Sequence, residues 1–342
     1  MDVSITQGSE AFDLAEWPEL AAAETHRSIF STIEWNRLWW AEFGQAKTLA
    51  VLTFLDPEPV GLAALMLDET PHGRRIRFLG GDDLTDYLGP LSRDPSITPK
   101  IADAMINLLK NDPPFAWDWF DAKCLPVPFG FAEWLVEAAD RHSMSFEIHE
   151  EELSAVLALP GTFEEYLAAL NKKNRHELRR KMRRFDQEIP GSRLVRATQG
   201  SLHEDLLRFV NMHRGSEGLK GKFFLPERAF FFARLADSFM PKGWLSLDFL
   251  EGEDATIAST FSFTFDGVFY LYNSAYDPRF RSASPGLVLV AKLIERSIEE
   301  GLHTFDFLRG RERYKTDLGG EPLPLYSVSI RNDRAAPSAR ND

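Results

Sequence analysis

The stretch from Tyr276 to Gly286, YDPRFRSASPG, sets Arg279 and Arg281 ahead of the small residues Ser282, Ala283, Ser284 and Gly286. Immediately after it, Leu287, Ala291, Ile294 and Ile298 recur at helical spacing, with Pro285 at the first helical position and Gly301 as a stop. A helix end of this kind offers unpaired backbone N–H groups and the positive pole of the helix dipole. Small residues let an anionic group approach that backbone closely. The chemistry this suits is phosphate or pyrophosphate binding. An ordinary helix with Ser284 as its N-cap is the equal alternative.

A second segment, NKKNRHELRRKMRRF over residues 171–185, is basic in an acidic chain. From Lys172 to Arg184 it holds eight Lys/Arg and one acid, Glu177, a local net of +7 where the whole chain carries −13. Like charges repel along a helix, so such a run is either a solvated surface face or the complement of something anionic. Leu170, Leu178, Met182 and Phe185 give it a narrow apolar stripe, which predicts that Lys172, Arg175, Arg179 and Arg183 line one exposed edge.

The elements that must position these residues read as mixed α/β. In the first half, AKTLAVLTFLD and PVGLAALMLDE are β-compatible runs around PEP, followed by the strand RRIRFLGG. Then come a helix over ITPKIADAMINLLKN, a strand FAWDWFDA and a helix FAEWLVEAADRH, with the domain closing near MSFEIHEE. The second half opens with the strand SAVLALP and one or two helices from Thr162, whose spacing to Glu165 matches a capping box. Two helices, LHEDLLRFVNMHRGSEG and LPERAFFFARLADSFM, precede three strands, GWLSLDFLEG, ATIASTFSFTF and GVFYLYNSAYD. Asp266-Gly267 between the last two is a tight-hairpin signal, so these form an antiparallel meander. After the helix from Pro285, HTFDFLRG and PLYSVSIR are the final strands. The expected division is 1–152, 153–331 and a flexible tail, 332–342.

At 342 residues, with 44% hydrophobic residues, the chain can bury two cores without disulfides or a structural metal. Its single cysteine, Cys124, excludes an intrachain disulfide and a multi-thiolate zinc site. The first twenty residues have neither a basic start nor an apolar run of signal-peptide length, so a cytoplasmic location is expected. Overall acidity argues against an extended nucleic-acid surface.

The run GVFYLYNSAYDPRFRSASPGLVLVAKLIERSIEEGLHTFDFLRGRERYKTDLG resembles the C-terminal half of the GNAT acyltransferase superfamily, in its double-domain branch of CelD-like and FemAB-type enzymes. YLAALNKKNRHELRRKMRRF resembles the basic helix of the CelD-like group, and IFSTIEWNRLWWAEFG and FLGGDDLTDYLGPL are weaker echoes in the first half. The resemblance implies an α/β (α+β) fold of two tandem GNAT-like domains, each a mostly antiparallel mixed sheet flanked by helices. It implies an acyl-CoA donor, no metal, and direct transfer to an amine or hydroxyl of a small-molecule, lipid or envelope-precursor acceptor. Strand residues Tyr270 to Tyr276, Asn273 among them, would receive the donor's pantetheine arm. Arg279, Arg281, Ser282, Ser284 and Gly286 would hold its pyrophosphate. The loop departs from the family's Arg-x-x-Gly-x-Gly/Ala pattern, since only Gly286 is present and Pro285 lacks an N–H.

An amine acceptor must lose a proton before it attacks, and the leaving thiolate needs a proton or a positive dipole. The catalytic candidates are Asp86, His213, Tyr272 and Lys315. For substrate the candidates are Tyr87, Arg175, Arg179, Arg183, Asp306, Arg309 and Tyr314. Each has a structural alternative: Asp86 capping a turn, His213 on a helix surface, Asp306 anchoring Arg309 or Arg311. Two other functions remain open: a FemAB-type transferase drawing on aminoacyl-tRNA, and a non-catalytic module of envelope or polysaccharide assembly. A transient contact between the basic helix and an anionic membrane surface is a further expected partner.

Overall fold

The computed structural model describes residues 1–24, 27–216 and 220–333. These form two compact units, Met1–Leu153 with the chain from Leu323, and Ser154–Pro322. The first unit contains β1 (Asp2–Gln7), α1 (Glu16–Ala23), α2 (Ile33–Phe43), β2 (Thr48–Leu55), β3 (Pro59–Thr70), β4 (Gly73–Phe78), the short β5 (Leu91–Ser92), α3 (Thr98–Asn111), β6 (Trp119–Pro126) and α4 (Phe131–Arg141). Strand β7 (Phe146–Ala158) leads into the second unit, which contains α5 (Phe163–Ala169), α6 (Lys172–Glu188), β8 (Arg193–Arg196), α7 (Leu202–Arg214), α8 (Pro226–Phe239), β9 (Leu245–Glu251), β10 (Thr256–Phe265), β11 (Val268–Tyr276), α9 (Pro285–Glu299), β12 (Thr304–Asp306) and α10 (Arg313–Asp317). β13 (Glu321–Arg331) ends the described fold.

In the first unit the strand order is β1-β2-β3-β4-β6-β13-β7, with β5 on β3. Its β2–β3 and β3–β4 pairs are antiparallel hairpins, and β4 and β6 run parallel across the α3 crossover. Apolar residues at helical spacing drive α3 and α4 onto one sheet face: Ile101, Met105 and Leu109 from the first, Phe131, Leu135 and Ala139 from the second, all buried with Ile76, Phe78 and Phe120.

In the second unit the order is β7-β12-β11-β10-β9-β8, antiparallel except for the β11–β12 pair that α9 connects. One face packs α6 and α9 through Leu178, Phe185, Val288, Leu289 and Ile294. The other carries an aromatic layer in which Phe232 of α8 meets Phe224, Phe261 and Tyr272. Thr162 caps α5 through the expected box, accepting from the Glu165 N–H while the Glu165 carboxylate accepts from the Thr162 N–H.

Three expectations are corrected. MSFEIHEE, expected only as the close of the first domain, and SAVLALP, expected as a strand opening the second, are one continuous strand over Phe146–Ala158, which no Gly or Pro interrupts. The final strand, expected in the second domain, pairs with β6 in the first, where Val328 and Ile330 fill that unit's core. Of the expected tail, Asn332 donates to the Trp117 carbonyl at 2.9 Å and Asp333 accepts from the Ser145 hydroxyl at 2.9 Å, so both are held. The rest, 334–342, lies outside the described residues.

A buried ion cluster ties the edge strand β8 to the second unit. Asp248 of β9 is wholly buried and accepts from Arg196 of β8 at 3.0 Å and from Arg296 of α9. Arg296 also donates to the Leu194 carbonyl at 2.9 Å, and Arg196 to Glu300 at 2.9 Å. Removing one partner of such a cluster leaves charge in a low-dielectric interior. Asp248→Ala is expected to destabilise the second unit by about 3–5 kcal/mol, read from its denaturant midpoint. A change under about 1 kcal/mol would mean that the guanidinium groups find water on their own.

Candidate active site

The distinctive feature of the second unit is where two parallel strands part. β11 pairs with β12 at Val268–Thr304, Phe269–Phe305 and Tyr270–Asp306. β12 then ends, while β11 continues to Tyr276. Beyond Tyr270, no strand among the described residues is paired on that side. The open edge from Leu271 to Tyr276 is about 20 Å long at ~3.3 Å per residue, and every second residue directs its N–H and C=O there. Against β10 the register slips: Phe261 faces Asn273 but Phe263 faces Tyr270, so β11 carries one extra residue at Leu271–Tyr272. This β-bulge turns the consecutive side chains of Tyr272 and Asn273 to the same, α7–α8 side. Tyr272 stacks on Phe232 at 5.6 Å and leans on Phe263 at 5.1 Å. Asn273 meets the Nε2 of His213, from α7, at 2.7 Å.

His213 is 1% exposed, enclosed by Phe209, Phe223 and Phe224. It is therefore a buried residue beside the bulge, not a helix-surface one. With the Asn273 oxygen accepting, Nε2 carries the proton.

At the far end of the open edge lies the small-residue loop. Residues Pro278–Ala283 form a 3-10 turn, and Ser284 takes a left-handed conformation, φ 58°. Ser284 occupies the N-cap position of α9, but its hydroxyl makes no capping bond, which corrects the expected cap. Val288 N–H donates to the Ser284 carbonyl, and Pro285 has no N–H. The N–H groups of Gly286 and Leu287 are thus the open donors of this helix end. Packing does not demand the glycine, since a Cβ at Gly286 would meet only the Tyr276 ring at 3.5 Å. Arg279 is folded back: its side chain and its own N–H bond Asp277, at 2.8 and 2.9 Å, and this holds the Asp277 carboxyl below its usual range. Arg281 and Ser282 are exposed on the loop.

The turn after β12 is held together internally. Asp306 accepts from Leu308 N–H at 2.8 Å and from the Ser154 hydroxyl at 3.4 Å. The Lys315 ammonium, 3% exposed as a residue, donates to the Leu308 and Arg309 carbonyls and lies 3.2 Å from Glu312. These bonds close residues 308–315 over a left-handed Leu308 and a positive-φ Gly310. Tyr314 packs on Phe307 at 6.3 Å, and burial raises its phenol pKa.

On α6 the residues segregate by edge. Glu177 binds Arg180 through two 2.8 Å contacts, with Lys181 at 3.7 Å, and Arg184 binds Glu188 at 2.6 Å. Arg175 donates to the Ala168 and Leu170 carbonyls at 2.9 and 3.2 Å, closing the C-terminus of α5. Arg179 and Arg183 face a groove of about 750 Å³ between α5 and α6. α6 packs against the loop 278–283 and α9.

In the first unit, Asp86 is buried in the loop after β4, and Tyr87 lines a cavity of about 60 Å³ with Glu24, Ser31 and Asn36. Sequence reasoning missed a charged strand face here. Arg77 binds Asp68 and Asp82 at 2.6 and 2.8 Å, Lys123 binds Asp82 and Glu151 at 3.3 and 3.1 Å, and Arg75 lies 3.6 Å from Asp121. Burial raises the Asp121 carboxyl. At Asp82 burial also pushes upward, but Arg77, a backbone hydrogen bond and Lys123 together bring the pKa below its usual value. The signal was present in the alternation Arg75-Ile76-Arg77-Phe78 and Phe120-Asp121-Ala122-Lys123, which puts every charge on one face.

Residues 172–316 match the family model described as an acetyltransferase (GNAT) domain. Among solved structures the chain is similar in fold to FemX, with 11% identity, TM-score 0.66, and 96% of this chain and 98% of that one covered. It is also similar to a conserved protein of unknown function from Bacteroides thetaiotaomicron VPI-5482 (12%, TM-score 0.57, 96% and 100% covered). A third is the C-terminal DUF2156 domain of a protein from Agrobacterium fabrum assigned as a lysylphosphatidylglycerol synthetase (10%, TM-score 0.55, 92% of each chain). No curated protein matches by sequence. Residues 172–316 thus match a GNAT domain, and the fold of the whole chain, as expected from the sequence, is like that of FemX.

Two outcomes follow for the site's scaffold. Lys315→Met leaves the Leu308 and Arg309 carbonyls without their donor, so a loss of about 1–3 kcal/mol and faster amide exchange over 308–315 are expected. Unaltered exchange there would contradict the closure described. The Arg180 hydrogen bond draws the Glu177 carboxyl down from its ordinary value near 4.5 to about 2. A carboxyl depressed in the folded state stabilises above its unfolded pKa and loses that effect as pH falls through the folded one. Glu177→Gln should therefore lower the thermal midpoint slightly at pH 7, the pair being exposed, and the difference should close between about pH 4.5 and 2.

Proposed function

We propose that this GNAT-bearing chain is an acyltransferase that moves an acyl group from acyl-CoA to an amine or hydroxyl of a small-molecule, lipid or envelope-precursor acceptor. The observation that carries the reading is the parting of β11 from β12, with a bulge at one end and an uncapped helix N-terminus at the other. An extended chain with amide groups can add to the open edge as a strand would, satisfying its N–H and C=O groups. A pyrophosphate at the other end finds the Gly286 and Leu287 N–H groups, the α9 dipole and Arg281. Asn273 and Ser274 lie along the strand between those ends. The donor supplies a thioester carbonyl activated for attack.

This order puts the reacting carbonyl near the bulge, where Tyr272, Asn273 and His213 converge. Bulge backbone N–H groups there can stabilise charge developing on the acyl oxygen. His213, oriented by Asn273, is the group we assign to proton movement at its ring, and Tyr272 walls the site with its ring. Lys315 and Asp306 act by shaping the neighbouring turn. We place the acceptor contacts of the second unit on the turn at Arg309 and Tyr314. Lipids are included among the acceptors because the Agrobacterium fabrum relative's assigned name is that of a lipid-modifying synthetase.

A FemAB-type donor, aminoacyl-tRNA, is the second reading, favoured by the FemX-like fold and by the cations of α6 left facing the groove. Calorimetric titration with acetyl-CoA, long-chain acyl-CoA and charged tRNA separates the two. The acyl-CoA reading predicts a coenzyme A complex of modest salt dependence, and the tRNA reading an affinity that falls steeply with salt. Binding of no donor would return the chain to a non-catalytic module. His213→Gln is expected to lower kcat by about 10²–10⁴-fold while leaving donor affinity nearly unchanged. Full activity in that variant would remove His213 from the mechanism.

A further inference from the structure

The cations of α6 are not equivalent. On the helix edge defined by Glu177, Arg180, Lys181, Arg184 and Glu188, positive charge is matched by carboxylates within 2.6–3.7 Å. On the groove edge, Lys172, Arg179 and Arg183 have no carboxylate partner among the described residues; the Nε of Arg183 donates to the Arg179 carbonyl at 3.3 Å. The groove beside them has an apolar floor, made by Phe163 and Leu167 of α5 and Met182 of α6. A single acid, Asp186, stands at its far end. Within a chain of net charge −13, these unmatched cations stand beside a groove floor in which Phe163 and Met182 are half-buried.

We infer that this groove edge docks the protein on an anionic phospholipid surface, with lipid phosphates against Lys172, Arg179 and Arg183 and the acyl-chain boundary against Phe163, Leu167 and Met182. Three features favour this occupant. From Lys172 to Arg183 the helix rises about 16 Å, which suits a row of headgroups better than one soluble phosphate. The apolar floor has no role toward a hydrophilic polyanion but is what an interfacial helix face requires. The remainder of the chain is acidic, which opposes wrapping by an extended nucleic acid and leaves a local patch as the point of attraction. This inference does not rest on the acyltransferase reading and can hold or fail without it.

The test is co-sedimentation of the full chain with vesicles of 30% phosphatidylglycerol in phosphatidylcholine, against pure phosphatidylcholine, at 50 and 500 mM salt. The wild-type chain is expected to bind the anionic vesicles at low salt, to lose most binding at high salt, and to ignore neutral ones. Arg179→Ala with Arg183→Ala should reduce partitioning about 25-fold, taking roughly five-fold for each basic residue at the surface. Arg180→Ala with Arg184→Ala removes the same charge from the matched edge and should change it by less than about three-fold. Met182→Asn, which alters no charge, should weaken binding as well. Far-UV circular dichroism confirms that the variants are folded. Equal loss in both double variants would overturn the inference, since binding would then follow net charge alone. Equal binding to neutral vesicles would also overturn it. So would displacement from vesicles by saturating coenzyme A, which would assign the edge to the donor, or tRNA binding lost in Arg179→Ala/Arg183→Ala without any vesicle binding.

Discussion

A backbone amide cannot be left without a hydrogen-bond partner in a dry interior, and the second unit is organised around a place where that rule has not been met by protein. β11 and β12 share three residue pairs and then separate, because β12 is stopped after Asp306 by a turn that the Asp306 carboxylate and the Lys315 ammonium hold shut. The rest of β11 remains a strand because β10 continues to pair with it on the other side. A short strand braced at its end and a long strand supported from behind leave an edge that only a ligand or water can complete. The bulge at Leu271–Tyr272 and the helix end at Gly286 acquire meaning from that edge, since they lie at its two limits.

Electrostatics divides the molecule in a related way. Several charges in the described structure are matched locally: Asp248 by two arginines, Arg279 by Asp277, Arg180 by Glu177, and the strand face around Asp82 by Arg77 and Lys123. The exposed pairs among them, unlike the buried Asp248 cluster, add little stability, about 0–1 kcal/mol each, but they cancel the field that the side chains would otherwise project. The cations on the groove edge of α6 have no such partner among the described residues, and another molecule can sense them from a distance. The expected role of Arg279 illustrates the difference, for its guanidinium is held by Asp277, which leaves the α9 dipole as the feature facing an anion there.

Much of this was legible in the sequence, in proportion to how local its cause is. Asp266-Gly267 forms the β10–β11 turn, Pro285 begins α9, Thr162 and Glu165 cap α5, and Leu178 and Phe185 are the buried stripe of α6, all set by neighbours within a turn or two. The bulge was not legible, because GVFYLYNSAYD alternates as a plain strand and the extra residue exists only relative to β10. Nor was the place of β13, whose apolar alternation suits either unit's sheet and whose partner, β6, lies some two hundred residues away. Lys315 is a catalytic candidate in RGRERYK, and its burial, which the sequence does not show, goes with its donation to the carbonyls of a left-handed Leu308 and of Arg309. The single capping error, at Ser284, has the same origin: a serine before a proline is a good N-cap by type, but the loop enters the helix in a conformation that points its hydroxyl away from the bond.

Amide hydrogen exchange of the full chain with and without coenzyme A addresses the central claim most directly. The account predicts slowed exchange in two separate segments, residues 271–276 along the open edge of β11 and residues 286–287 at the start of α9, with little change in β8 or β9. Coenzyme A binding that leaves both segments as fast as in the free protein, or protection confined to the α5–α6 groove, would contradict it.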